Sequence, residues 1–172
     1  MMSETFYSAA MIRRPARAAA QSVGRFTYLM GLYAENYWRL LHVFAPHQLQ
    51  VGRYVSSVCD QLDVCVELTQ VHRYTLELRL SYLFADPVSG LPDPSACVRW
   101  YRDAQMAEVQ ACYLPPSGPF AADPGREGRN AWNHRLRMNG FFNKWLEYLA
   151  QLGHSRFTLK PCVAGVRSGP AG

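Results

Sequence analysis

Val98-Arg99-Trp100-Tyr101-Arg102-Asp103-Ala104-Gln105-Met106-Ala107-Glu108-Val109 places four charged side chains among aromatic and β-branched ones near the middle of the chain. Side chains of a strand alternate between its two faces. If Val98 and Trp100 face a core, an unbroken strand would also bury Met106, Glu108 and Gln110, and would expose Val109 and Ala111. The apolar parity therefore changes between Arg102 and Ala107, which requires a turn or a bulge. A two-residue turn at Ala104-Gln105 would set Trp100 opposite Val109, Tyr101 opposite Glu108 and Cys97 opposite Cys112. Ala-Gln is poor chemistry for such a turn, which favours Gly or Asn, so a longer loop or a bulged strand competes with it. In each case Arg99, Tyr101 and Glu108 leave on the face opposite Trp100.

Before this corner the pattern has period two. Leu62, Val64, Val66 and Leu68 alternate with polar residues, as do Tyr74, Leu76, Leu78, Leu80, Tyr82 and Phe84, with a turn near Gln70–Arg73. A weaker strand over Arg53–Cys59 precedes them. Each strand has one apolar face, as an antiparallel sheet covered on one side requires. Helical spacing flanks the sheet. Phe26, Leu29, Tyr33, Tyr37, Leu40, Leu41 and Phe44 share one face of a first helix over Phe26–Phe44, which Pro46 ends. Met138, Phe141, Phe142, Trp145, Leu146, Leu149 and Leu152 line a second helix over Arg129–Leu152, and Gly153 suits its left-handed C-terminal stop. Gly140 inside that helix is expected to admit another backbone closely. Asn36 and Asn139 sit beside the apolar stripes and read first as core amides bonding neighbouring elements. Only Phe157 and Leu159 look able to pack beyond Gly153.

The Pro- and Gly-rich segments 85–95 and 114–128 read as loops within one domain. Gly125-Arg126-Glu127-Gly128 lacks the Gly-Lys-Ser/Thr of a phosphate loop. The chain of 172 residues, 49% hydrophobic and 18% charged, has a globular composition, and no apolar run reaches the roughly 18 residues of a membrane span. Its opening is rich in Ala and Arg without a continuous apolar core, so it reads as a basic extension rather than a secretory signal. Of the formal charge of +5, residues 1–25 and 154–172 each supply +3, and the remainder is slightly acidic. Most of the basicity lies at the ends, so the alkaline pI is weak evidence for a nucleic-acid-binding fold. Five scattered cysteines form no C-x-x-C pair and are expected as reduced, buried thiols, and the histidines show no metal-ligand spacing.

Three readings compete for the face bearing Arg99, Tyr101 and Glu108. The first is a cross-strand salt bridge under a tyrosine. The second is a binding face, with the Arg99 fork for a carboxylate or phosphate and Tyr101 for stacking. The third is an enzyme with Asp103 or Glu108 as general acid or base, which lacks an accompanying nucleophile-and-base pair. A cleft would draw Arg73 and Asn139 towards the same place. A second surface is the basic start of the last helix, where Arg126, Arg129, Arg135, Arg137 and Lys144 interleave with Trp132 and His134. It could hold phosphate backbones, or serve as a solvated face balancing the acidic sheet.

The same residues carry a resemblance. Val98-Arg99, Tyr101, Asp103-Ala104 and Ala107-Glu108-Val109 resemble the V-R-x-Y-x-D-A-x-x-A-E-V pattern of the YqiB-like family, small proteobacterial proteins classed as a domain of unknown function. Tyr33-Ala-Glu-Asn-Tyr-Trp38 with Leu40-Leu41 resembles that family's first helix, Arg73-Tyr74-Thr75 a strand start, and Asn139 followed by Trp145-Leu146 its final helix. The resemblance runs from about Leu32 to about Phe157; Gly140 and the Pro/Gly-rich segment before the last helix depart from it. It implies a bacterial cytosolic α+β protein and brings no catalytic residue, cofactor or substrate.

The expected architecture is α+β: an N-terminal helix, an antiparallel sheet of about four or five strands and a C-terminal helix, with both helices on one sheet face. A flexible basic extension (residues 1–25) and a flexible tail (161–172) flank one domain (26–160). The leading functional expectation is a non-enzymatic cytosolic binding or adaptor domain that uses the mixed-charge sheet face. Arg73, Arg99, Tyr101, Asp103, Glu108 and Asn139 are its candidate residues, and an unknown protein or a small anionic ligand its partner. No cofactor, metal or membrane is called for. The alternatives are the enzyme and weak nucleic-acid binding through Arg129, Arg135, Arg137, Lys144 and the ends of the chain.

Overall fold

The computed structural model describes residues 13–84, 94–113 and 130–162. Helix α1 runs over Arg13–Phe44 and so begins well before the Phe26 start expected from apolar spacing. Ala16, Ala18, Ala19 and Ala20 explain the difference, because alanine continues a helix without contributing an apolar stripe. Pro15 sits in the first turn, where the missing N–H costs no helical bond. The helix stops at Phe44; Ala45 takes a left-handed conformation (φ 46°) and Pro46 opens a 3-10 turn, Pro46–Gln48.

Six strands follow the pattern of alternation: β1 (Gly52–Ser56), β2 (Val64–Val71), β3 (Thr75–Tyr82), β4 (Ser95–Tyr101), β5 (Met106–Tyr113) and β6 (Leu159–Pro161). Between β5 and β6 comes α2 (Asn130–Gln151). The sheet order is β5-β4-β3-β2-β1-β6, with every neighbouring pair antiparallel, so β1 to β5 form a meander and β6 closes its far edge. The fold is thus the expected α+β arrangement with one more strand. β6 carries no apolar alternation of its own. Three residues long and ending on Pro161, it makes an edge that resists further pairing.

One core joins the two layers. Val64, Val66 and Leu68, Leu76, Leu78 and Leu80, Ala96, Val98 and Trp100, and Ala107 and Val109 supply the sheet side. Tyr37, Leu40 and Phe44 of α1 and Met138, Phe142, Trp145, Leu146 and Leu149 of α2 supply the other. Tyr37 stacks on Trp100 with ring centroids 4.5 Å apart. The contacts between helices advance in step, Phe26 with Trp132, Asn36 with Asn139 and Arg39 with Glu147, so α1 and α2 run parallel.

Several residues expected in the core are exposed. Leu62, Tyr74 and Phe84 lie just beyond strand ends, where the alternation outruns the ladder. Phe26 lies one turn before Leu29, the first buried α1 residue among those whose burial is described. Phe157 is 81% exposed, with the Arg156 guanidinium over its ring. Of the cysteines, none of them in a disulfide, only Cys65 is buried; Cys59 and Cys162 are exposed. A methyl placed on Gly140 would meet no atom within 4 Å, so the close backbone expected there is absent among the described residues. Gly153 does end α2 as expected. At φ 93° it lets its own N–H bond Ala150 O and that of His154 bond Leu149 O, a Schellman closure.

The central corner contains both a turn and a bulge. Residues Arg102–Gln105 form a four-residue turn that sets Tyr101 opposite Met106 and Trp100 opposite Ala107. Gln105 takes the left-handed position (φ 52°), and the Asp103 carboxylate accepts the Ala104 N–H at 2.9 Å. Between the Val98–Val109 and Cys97–Ala111 pairs the register slips at Gln110, so Cys112 faces Ala96 rather than Cys97. The slip returns Ala111 to the outer face, which the expectation of a single parity change had not anticipated.

Candidate binding face

The turn brings Arg99, Tyr101 and Glu108 to the sheet face away from the helices, as the parity argument requires. Register then organises that face into two rows. Arg53 lies opposite Glu67, and Glu67 opposite Arg79, across β1, β2 and β3. Glu77 lies opposite Arg99, and Arg99 opposite Glu108, across β3, β4 and β5. Charge alternates along both rows, so each residue has an opposite charge as its cross-strand neighbour.

Within the second row Arg99 commits to one side. Its Nε and a terminal nitrogen donate to Glu77 Oε1 at 3.0 and 2.6 Å, and both side chains stay about one third exposed. At that exposure water and salt screen the pair, so it orders the two side chains more than it stabilises the fold. In the first row Arg53 donates its Nε to the buried Cys65 thiol at 3.0 Å.

Glu108 is clasped instead by the helices. β5 is the sheet edge beside α1 and α2, and the carboxylate reaches round it. Tyr33 of α1 donates to Oε1 at 3.1 Å, Tyr101 donates to Oε2 at 3.4 Å, and Arg135 of α2 stands 3.7 Å from Oε1. Burial first, and then the adjacent Glu108 carboxylate, push the Tyr33 phenol up to about 12. An anion there would lose hydration and face a second negative charge.

Asn139 belongs to the same edge but to its inner side. Its Oδ1 accepts the Val109 N–H at 3.0 Å, an outward-pointing edge donor that no strand would otherwise satisfy. Its Nδ2 donates to Arg135 O at 2.9 Å, and Asn36 Nδ2 approaches its carbonyl and Oδ1 at 3.3 and 3.4 Å. Both amides are fully buried. Asn36 and Asn139 thus fasten α1, α2 and β5 together, as core amides bonding neighbouring elements.

The other candidate residues lie apart from this cluster. Arg73 sits in the β2–β3 turn, its guanidinium 5.0 Å from the centre of the exposed Tyr74 ring. Asp103 is exposed in the β4–β5 turn. These two turns share one end of the sheet, joined by the Arg102 N–H donating to Tyr74 O at 2.8 Å. On α2, Arg135 is turned to Glu108, Lys144 bonds Glu147 at 2.9 Å and Arg137 is exposed. Arg126 and Arg129 lie outside the described residues. The participants that sequence reasoning missed are Tyr33, taken as a core aromatic, and Arg135, assigned to a phosphate-binding surface. Nothing local marks a contact spanning 75 residues such as Tyr33 to Glu108.

Among the described residues no group of three His, Cys, Asp or Glu side chains could hold a metal ion, and no helix is long and apolar enough to cross a membrane. The arrangement defines an α+β meander domain, with two parallel helices on one face and ordered rows of opposite charge on the other. The chain belongs to the family described as Protein of unknown function (DUF1249), which matches residues 39–155. No curated protein and no solved structure matches it.

Proposed function

We propose that this protein is a non-enzymatic binding or adaptor domain that presents the sheet face opposite its helices to a protein partner of mixed surface charge. The two rows Arg53–Glu67–Arg79 and Glu77–Arg99–Glu108 carry this reading. Interleaved charge suits a partner with its own interleaved charges, and it penalises a uniform polyanion, which would meet Glu67, Glu77 and Glu108. Arg99 and Tyr101 are half-buried on β4, next to the edge strand β5, where a planar fork and a phenol ring offer contact area. A cytosolic protein of the YqiB-like proteobacterial type is the finer placement. It rests on the Val98–Val109 pattern and on the absence of any disulfide among the described cysteines.

The experiment is crosslinking capture with wild type, Arg99→Ala, Tyr101→Ala and, as a helix-side control, Arg137→Ala. Partners held by wild type and Arg137→Ala should be lost or reduced at least tenfold with the two sheet-face variants. Equal capture by all four proteins would refute the assignment of this face.

A further inference from the structure

A chain of hydrogen bonds ties the segment that leads into the edge strand β6 to β1. His154 Nδ1 lies 2.8 Å from Ser56 Oγ of β1, which in turn lies 2.5 Å from Thr158 Oγ1. Thr158 Oγ1 stands 2.8 Å from Ser155 O and accepts the Ser155 N–H at 2.9 Å. A carbonyl oxygen only accepts, so the single Thr158 hydroxyl proton goes to Ser155 O. Ser56 must then donate to Thr158, and His154 Nδ1–H to Ser56. The direction of the chain fixes the tautomer: Nδ1 carries the proton and Nε2 the lone pair.

Nε2 is buried without a hydrogen-bond partner, in a residue that is itself buried. A proton taken up there makes a buried cation whose new N–H has no acceptor. The surrounding elements compensate it little. The last turn of α2, residues 148–151, carries no charge, and Arg53 of β1 is engaged with Cys65. Arg156 sits 4.7 Å from the centre of the Phe157 ring, Lys160 is exposed opposite Val55, and Asp60 is exposed. Asp63, in the connection from β1 to β2, favours the cation, but burial outweighs it and holds the imidazole below its ordinary 6.5. The smallest movement that hydrates the cation is to swing out the segment it belongs to. That segment follows Gly153, whose left-handed backbone (φ 93°) turns the chain out of α2. Among the described residues β6 pairs with β1 alone and gives the core only the partly buried Leu159.

We propose that the segment from His154 to Cys162 is an acid-sensitive latch: protonation of His154 releases β6 from β1 and uncovers the main-chain edge of Gly52–Ser56. The closed form is fully held above pH 6.5. As pH falls below that, the open form binds the proton first and is favoured. At its ordinary 6.5 the freed imidazole is about ten-to-one protonated at pH 5.5, so acid favours opening by at most roughly tenfold there. Opening frees Arg53 O, which accepts the Cys162 N–H at 2.8 Å in the closed form, and returns an unpaired edge to β1.

The test is amide hydrogen exchange of the full chain by NMR between pH 7 and 5.5, corrected for intrinsic rates and repeated in low urea. The Cys162 amide should lose protection by roughly three- to tenfold in acid, and His154→Gln should abolish that response. Because the opening is local, Cys162 exchange should barely respond to urea, whereas exchange of Val66, in the middle of the sheet, should rise with it. Ser56→Ala cuts the chain without altering the imidazole, so it should speed Cys162 exchange already at pH 7, and it serves should His154→Gln not fold. Unchanged Cys162 protection in acid would overturn the proposal. So would an equal acid response in folded His154→Gln, unaltered exchange in Ser56→Ala, or a urea dependence at Cys162 as steep as that of Val66, which would make the opening global.

Discussion

Replacing Asn139 by leucine tests whether the β5 edge is held by one side chain. Leucine matches the volume but cannot accept the Val109 N–H, which Asn139 Oδ1 takes at 3.0 Å in a site where both residues are buried. An orphaned buried donor costs about 1–3 kcal/mol. Arg135 O keeps its helical partner and Asn36 keeps the Asn139 carbonyl, so the remaining losses are small. Asn139→Leu should therefore lower the unfolding free energy by about 2 kcal/mol. Asn36→Leu should cost less, about 1 kcal/mol or below, because its bonds are long, at 3.3 and 3.4 Å, and its Oδ1 already lacks a partner. Urea unfolding followed by circular dichroism gives the ranking. Hydrogen exchange gives the location, with Val109 losing protection by roughly tenfold or more while Val98, paired within the sheet, is unchanged. If Asn139→Leu costs under about 0.5 kcal/mol, or less than Asn36→Leu, the edge does not depend on this amide.

Three further outcomes follow from the same geometry. His154 is buried, with Nδ1 on Ser56 Oγ at 2.8 Å and Nε2 unpartnered, and burial holds its pKa below the ordinary 6.5. The unfolded chain then binds this proton first, so stability is complete above pH 6.5 and is lost as pH falls below it. Unfolding free energies between pH 7 and 5.5 should decline for wild type and flatten in His154→Gln; equal slopes would contradict this. Gln105→Gly should stabilise by about 0.5–1 kcal/mol by relieving a left-handed non-glycine residue, and a fall in melting temperature would speak against it. Glu108→Gln should lower the Tyr33 pKa from about 12 while leaving it above 10, since burial, the larger cause, persists. A carbon-13 titration of the tyrosine ring reads this, and an unmoved Tyr33 would remove Glu108 from its surroundings.

The candidate site was only partly legible before the structure. Parity placed Arg99, Tyr101 and Glu108 together on the outer face, because strand side chains alternate whatever the partner strand is. It did not show that Arg99 would choose Glu77 and leave Glu108 to Tyr33 and Arg135, since that choice depends on β5 lying at the edge beside the helices. Arg73 and Asp103 looked like neighbours of the site through their residue types, yet turns carry them to the end of the sheet.

By itself the sequence determined what local periodicity can encode. It specified the period-two faces of Val64–Leu68 and Leu76–Leu80, the apolar stripes of both helices, the end of α2 at Gly153 and the need for a corner between Arg102 and Ala107. Only the tertiary structure decided the quantities that depend on two distant segments at once. These are the four-residue turn combined with a bulge at Gln110, the pairing of β6 with β1, the capture of the Val109 N–H by Asn139, and the open space beside Gly140. The physical reason is that a side chain's face is set by its neighbours in the chain, whereas register, edge position and unfilled space are set by which elements come to lie together.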